Sequence, residues 1–188
     1  MRAEYDSCFG LTGSFEIVPI LLHQNRARIS INMTKERALK IYVASSWRNT
    51  FQPEVVQTLR QDGHHVYDFK GHGDGWGSNG EGPGGFGWHE IKEWEREWNK
   101  DIPRYLQALE HPRAIEGFLR DMNALKLSDA CVMVMPCGHS ASMEMGWACG
   151  SGRPTYVYIP AMREPDLMVK MADLVTGDLT SIRTALSR

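Results

Sequence analysis

The sequence contains no run of about 18 apolar residues, the length a membrane-spanning helix requires, so a spanning helix is excluded. Net charge is also scarce: 21 Lys and Arg oppose 23 Asp and Glu, a formal balance of -2 with the two signs mixed along the chain. That leaves no basic footprint for nucleic acid or for an anionic membrane surface, and makes a small molecule the expected partner. Cysteine is sparse, with four residues and no CxxC pair in a chain of 188 residues that needs no disulfide staples. Cys8, Cys131, Cys137 and Cys149 are therefore expected as reduced thiols, and the protein as cytoplasmic. A secretory leader is not expected, because Glu16 and Pro19 interrupt the apolar stretch Phe15 to Leu22 and no small-x-small site follows it. Neither paired cysteines nor an HxxxH spacing is present, so His64, His65, His72 and His89 beside Asp74 suit loop or strand-end positions better than a metal site. No metal or organic cofactor is expected.

What the chain does have is enough apolar content, 42%, for one sizeable core and hence one domain. Residues 1–32 carry no clear period and are expected as a weakly ordered extension before a domain spanning 33–188, with Met33 as an alternative start. Leu39 to Ala44 is a short apolar, β-rich run that suits a buried parallel strand. Phe51 to Gln61 reads as a helix, capped by Thr50 and stopped by Asp62-Gly63, and His65 to Phe69 as a second strand. Residues 70–87 are so rich in glycine that a loop able to close over a ligand is the natural reading. Helices are expected over Trp88 to Asn99, Pro103 to Leu109 and Pro112 to Leu127, the last with Ile115, Phe118, Leu119, Met122 and Leu125 inward. Asp129 to Met135 has the pattern of a central strand, followed by a helix near Ala141 to Cys149 and a strand at Thr155 to Ile159. A last unit, Asp173 to Thr176 and Leu179 to Leu186, completes five parallel strands in a doubly wound α/β sheet with flanking helices. The methionines at 133, 135, 143, 145, 168 and 171 fit core filling.

In open α/β sheets ligands bind beyond the carboxyl ends of the strands, which directs attention to the segments after the first, second and third strands. The segment Ser45, Ser46, Trp47, Arg48 and Asn49 puts two hydroxyls and a guanidinium where a helix begins, either as a phosphate or sugar pocket or as a cap with an exposed Arg. Glu144 stands early in the helix after the central strand, behind Ser140 and Ser142. A carboxylate there either complements the helix dipole, by roughly 0.3–1 kcal/mol, or attacks an electrophilic carbon in the crevice. Asp121, placed on the polar side of the preceding helix, is either a solvated residue or the second carboxyl that glycosidic cleavage needs.

The segments KIYVASSWRN and FLRDMNALKLSDACVMVMPCGHSASMEMGWACGSGRPTYVY resemble the nucleoside 2-deoxyribosyltransferase-like superfamily, in particular bacterial and phage-borne members with a PCGxSAxxExGWAxGxGxP block. The resemblance spans about Leu39 to Ala185. It implies a flavodoxin-like fold and cleavage or exchange of the N-glycosidic bond of (deoxy)nucleosides or their 5′-monophosphates. It also implies Glu144 as nucleophile, Asp121 as the assisting acid at base or sugar, and Tyr42 as the group that orients the nucleophile. The nucleoside transferases carry a further acid where this chain has Gly138. Ser46, Arg48, Gly138, Ser140 and Ser142 instead suit a 5′-phosphate, which favours hydrolysis of a monophosphate. Trp76, Phe86 and Trp88 are candidates to stack on the base when the glycine-rich loop closes. A homodimer or larger homo-oligomer is expected by resemblance only.

Two other function classes fit the residues less well. One is a module that senses a nucleotide without turning it over, against which both carboxylates argue. The other is an interaction protein docking a partner through the aromatic segment 76–98. The PGGFG segment at Pro83 to Gly87 is a weak match to the phosphate motif of lysine-decarboxylase-like nucleotide hydrolases, because Trp88-His89 replaces its Gly-Thr.

Overall fold

The computed structural model describes residues 37–71, 86–91, 101–161 and 166–188, all within the unit Lys35–Arg188. The expected extension at 1–32, residues 72–85 of the glycine-rich loop with Trp76, His72 and Asp74, and residues 92–99 of the helix expected over Trp88 to Asn99 lie outside these residues; the start of that helix is corrected, since Trp88–Glu90 form a 3-10 turn that ends at the extended Ile91.

The chain alternates strand and helix: β1 (Lys40–Ala44), α1 (Gln52–Gln61), β2 (His65–Tyr67), a 3-10 turn (Trp88–Glu90), α2 (Ile102–Leu109), α3 (Pro112–Leu127), β3 (Ala130–Val134), α4 (His139–Gly150), β4 (Thr155–Tyr158), a second 3-10 turn (Leu167–Met171), β5 (Leu174–Thr176) and α5 (Leu179–Leu186). The five strands form one sheet in the order β2-β1-β3-β4-β5, every neighbouring pair parallel. This is the flavodoxin-like, doubly wound order, whose switch point lies between β1 and β3. Strand periodicity assigns the two faces. Ile41, Val43, Val66, Val132 and Val134 face α1 and α5 through Val55, Leu59, Ile182 and Leu186. Tyr42, Tyr67, Cys131 and Met133 face α3 and α4 through Ala124, Leu125, Ala141, Met145 and Ala148. Burying one Leu or Val of this kind stabilises the fold by about 1.5–3 kcal/mol.

Several local expectations are corrected. Thr50 does not cap α1; the buried Asn49, 4% exposed, accepts the amides of Phe51 and Gln52 at 2.7 and 3.0 Å. The same side chain donates to the carbonyls of Val134 and Pro136, both at 3.0 Å, and so ties the loop after β1 to the loop after β3. Gly63 ends the α1 turn with φ +91, a left-handed conformation that a Cβ would strain.

On α3, Ile115, Phe118 and Leu119 are exposed rather than inward, Phe118 by 63%. The buried positions are Ala114, Gly117, Ala124 and Leu125, and they share a helical stripe with Asp121. Small residues let the helix lie close to the sheet, and a Cβ at Gly117 would run into Phe86. The largest apolar side chains therefore do not mark the inner face. Among the methionines, Met133 and Met145 are buried, whereas Met143, Met168 and Met171 are exposed, Met143 by 75%.

Candidate active site

The face of the sheet covered by α3 and α4 carries two tyrosines and two carboxyls. Tyr42 on β1 and Tyr67 on β2 are in register, so their rings stack with centroids 5.1 Å apart and planes 12° from parallel. Both side chains are fully buried, and a buried phenol needs a partner for its hydroxyl. Each finds a different carboxyl. Tyr42 hydrogen-bonds with Glu144, in the second turn of α4. The Tyr67 hydroxyl donates to Asp121 Oδ1 on α3 at 2.5 Å. The expected trio of Tyr42, Asp121 and Glu144 is thus brought to one place. Asp121 belongs to the inner stripe of α3 and not to its polar side, which corrects the placement read from the sequence.

Electrostatics follow from this enclosure. Burial pushes the Glu144 carboxyl up to about 8, the charge of Asp121 adds to the rise, and the Tyr42 hydrogen bond opposes it. Asp121 is raised by burial, while the hydrogen bond from Tyr67 and the charge of Arg120 pull it down. Burial first, and then the neighbouring carboxylates, hold both phenols well above their ordinary range, so both tyrosines act as neutral donors. Cys131 on β3, also held up by burial, adjoins Glu144 and stays a neutral thiol. The result is a pair of carboxyls that retains one proton near neutral pH, the arrangement in which one group can be ionised while the other supplies a proton.

Around this pair lie the loops that follow β1 and β3. Ser45 Oγ donates to the Val134 carbonyl at 2.9 Å, and Ser46 Oγ accepts the Arg48 amide at 3.2 Å. Arg48 is exposed, and Trp47 is half exposed with its ring edge-on to Phe69 at 5.4 Å. Gly138 caps α4, with nothing within 4 Å of where a Cβ would stand. Ser140 and Ser142 are exposed in the first turn, Ser142 Oγ reaching back to the Gly138 carbonyl at 3.4 Å. Phe86 and Trp88 pack edge to face at 5.0 Å against Ile91, Ala108 and Ala114. Phe86 touches Gly117, one turn of α3 before Asp121.

Two participants were not singled out from the sequence, Tyr67 and Arg120, and the tie that Asn49 makes between the two loops was not foreseen. Only the register of β1 against β2 reveals Tyr67, as the neighbour of Tyr42. His64, by contrast, has a structural task, its Nδ1 accepting the Leu39 amide at 3.3 Å. Among the described residues no group of three His, Cys, Asp or Glu side chains converges as a metal site would require, and no helix is long and apolar enough to cross a membrane. A separate cleft lined by Cys149, Arg153, Thr155, Tyr156 and Asp173 opens at the amino end of β4, away from the carboxyl pair; there Asp173 is already engaged by the Thr155 amide at 2.7 Å.

No protein-family model matches the sequence, and no curated protein matches it. Among solved structures, the chain is similar to a 2-deoxyribosyltransferase from the psychrotolerant bacterium Bacillus psychrosaccharolyticus, at 18% identity and a TM-score of 0.44, over 78% of this chain and 94% of that one.

Proposed function

We propose that the chain is an N-glycosidase acting on (deoxy)nucleoside 5′-monophosphates or nucleosides. The observation that carries this reading is that Glu144 and Asp121 are both buried and close enough for the charge of one to raise the other, each with its own tyrosine donor, beside the switch point of the sheet. The pair holds one proton, and in the reacting form it sits on Asp121: ionised Glu144 attacks C1′, the C1′–N bond breaks, and its electron pair leaves with the base, which takes that proton. The resulting glycosyl ester on Glu144 is then opened by water, whose proton passes to the Asp121 carboxylate, restoring both groups. A second base in place of water would make the same chemistry a transfer. Gly138, Ser140 and Ser142 at the start of α4, together with Ser46 and Arg48, supply amides, hydroxyls and a guanidinium suited to a phosphate, which favours the monophosphate. Phe86, Trp88 and Trp76 are assigned to the base, and Trp47 to the rim of the sugar and phosphate pocket. The reading includes no metal and no organic cofactor, a cytoplasmic location, and a homodimer or larger homo-oligomer.

The test is release of free base from a panel of ribo- and deoxyribonucleosides and their 5′-monophosphates, comparing the wild type with Glu144→Ala. Base release by the wild type that falls at least about a thousandfold in the variant is the expected result. If no substrate yields base while nucleotides still bind tightly, the chain is a sensing module and the glycosidase reading is wrong.

A further inference from the structure

We propose that Tyr67 is a positioning residue, whose hydroxyl fixes the orientation and protonation of Asp121 and whose ring, stacked on Tyr42, keeps the two carboxyls in a common frame. Its catalytic consequence rests on the glycosidase function proposed above; its hold on Asp121 does not. The side chain is 1% exposed and lies flat against Tyr42, so it has little freedom to turn its hydroxyl elsewhere. Tyr42 and Tyr67 occupy paired positions on adjacent parallel strands, yet their hydroxyls serve different carboxyls on different helices. The stack therefore transmits position between α3 and α4. A shift of either ring would move one carboxyl relative to the other, and geometry within a fraction of an ångström is what two-carboxyl chemistry requires.

The charged and titratable groups around Asp121 come from every packed element described: Arg120 from α3 itself, Tyr67 from β2, Tyr42 from β1 and Glu144 from α4, with Cys131 of β3 behind Glu144. Among these, Tyr67 donates directly to the Asp121 oxygen. A donor of this kind favours the ionised carboxylate, so its removal must raise the pH at which Asp121 titrates.

Tyr67→Phe keeps the ring and its stack and deletes only the hydroxyl. Carboxyl 13C NMR, with the Asp121 signal identified by Asp121→Asn, is expected to show Asp121 titrating about one pH unit higher in the variant. In an active wild type, kcat is expected to fall about tenfold to a hundredfold with KM within about twofold. In the wild type, the Tyr67 13Cζ shift should follow the Asp121 titration, a readout that holds even if the variant folds poorly. An Asp121 titration unchanged by Tyr67→Phe, or a Tyr67 signal indifferent to it, overturns the assignment. A moved titration with unchanged kcat removes its catalytic part. A wild type that releases no base defeats the glycosidase reading alone, because both NMR readouts remain decisive for Tyr67.

Discussion

Glu144 and Asp121 are buried close enough together to disfavour two negative charges, and this makes the pH response of the site a property of the pair. Burial is the first cause of the rise of Glu144 to about 8, and the charge of Asp121 the second. The nucleophile must be ionised, so with a substrate whose base leaves without protonation kcat/KM of the wild type is expected to rise with pH up to about 8. Asp121→Asn deletes the charge that adds to the rise, and the ascending limb should then move to lower pH. Loss of the proton donor also lowers the rate, by about a hundredfold to ten-thousandfold. The limb is therefore best followed with a substrate whose base leaves without protonation, such as an N7-methylated purine nucleotide. An ascending limb that stays at about pH 8 in Asp121→Asn would show that the two carboxyls do not interact. The sequence made both carboxyls candidates, but not their relation. Asp121 is a single acidic residue within a helix, and only the stripe Ala114, Gly117, Ala124 and Leu125 tells that its side chain faces the sheet.

At the scale of elements, strands and helices were legible where hydrophobic period and length agree. The five strands fall within a residue or two of their expected ends, because buried parallel strands are short apolar runs bounded by polar residues. Faces of helices were less legible. Ile115, Phe118 and Leu119 outweigh Ala114 and Gly117 in apolar volume, yet close approach to the sheet selects the small residues. Loop ties were not legible at all, since Asn49 joins α1 to residues 85 and 87 positions later in the chain. Its side chain satisfies two amides at the start of α1 and two carbonyls after β3, so removing it strands several buried polar groups. Asn49→Ala is expected to lower the unfolding free energy by about 2–3 kcal/mol, and Thr50→Ala by no more than about 0.5 kcal/mol, in urea titrations at fixed pH. Equal effects of the two substitutions would return the capping role to Thr50.

The whole molecule leaves apolar surface on the helices that flank the site. Ile102, Leu106 and Leu109 are exposed on α2, Ile115, Phe118 and Leu119 on α3, and Met143 on α4. Apolar side chains in helical sequence positions of this kind have a free-energy reason to be covered, about 1.5–3 kcal/mol for each one fully buried. In the proposed assembly a second copy of the chain covers them, and a symmetric contact counts every residue twice. Phe118→Glu then removes one apolar anchor and places one charge on each side of the contact. Sedimentation equilibrium is expected to show a dimer or larger species for the wild type, and a dissociation constant at least about a hundredfold weaker for Phe118→Glu. Because α3 and α4 carry Asp121 and Glu144, the dissociated variant should also lose base release in proportion to its monomer fraction and regain it as protein concentration rises. A monomeric wild type would end the homo-oligomer proposal. An assembly unaffected by Phe118→Glu would move the contact off α3.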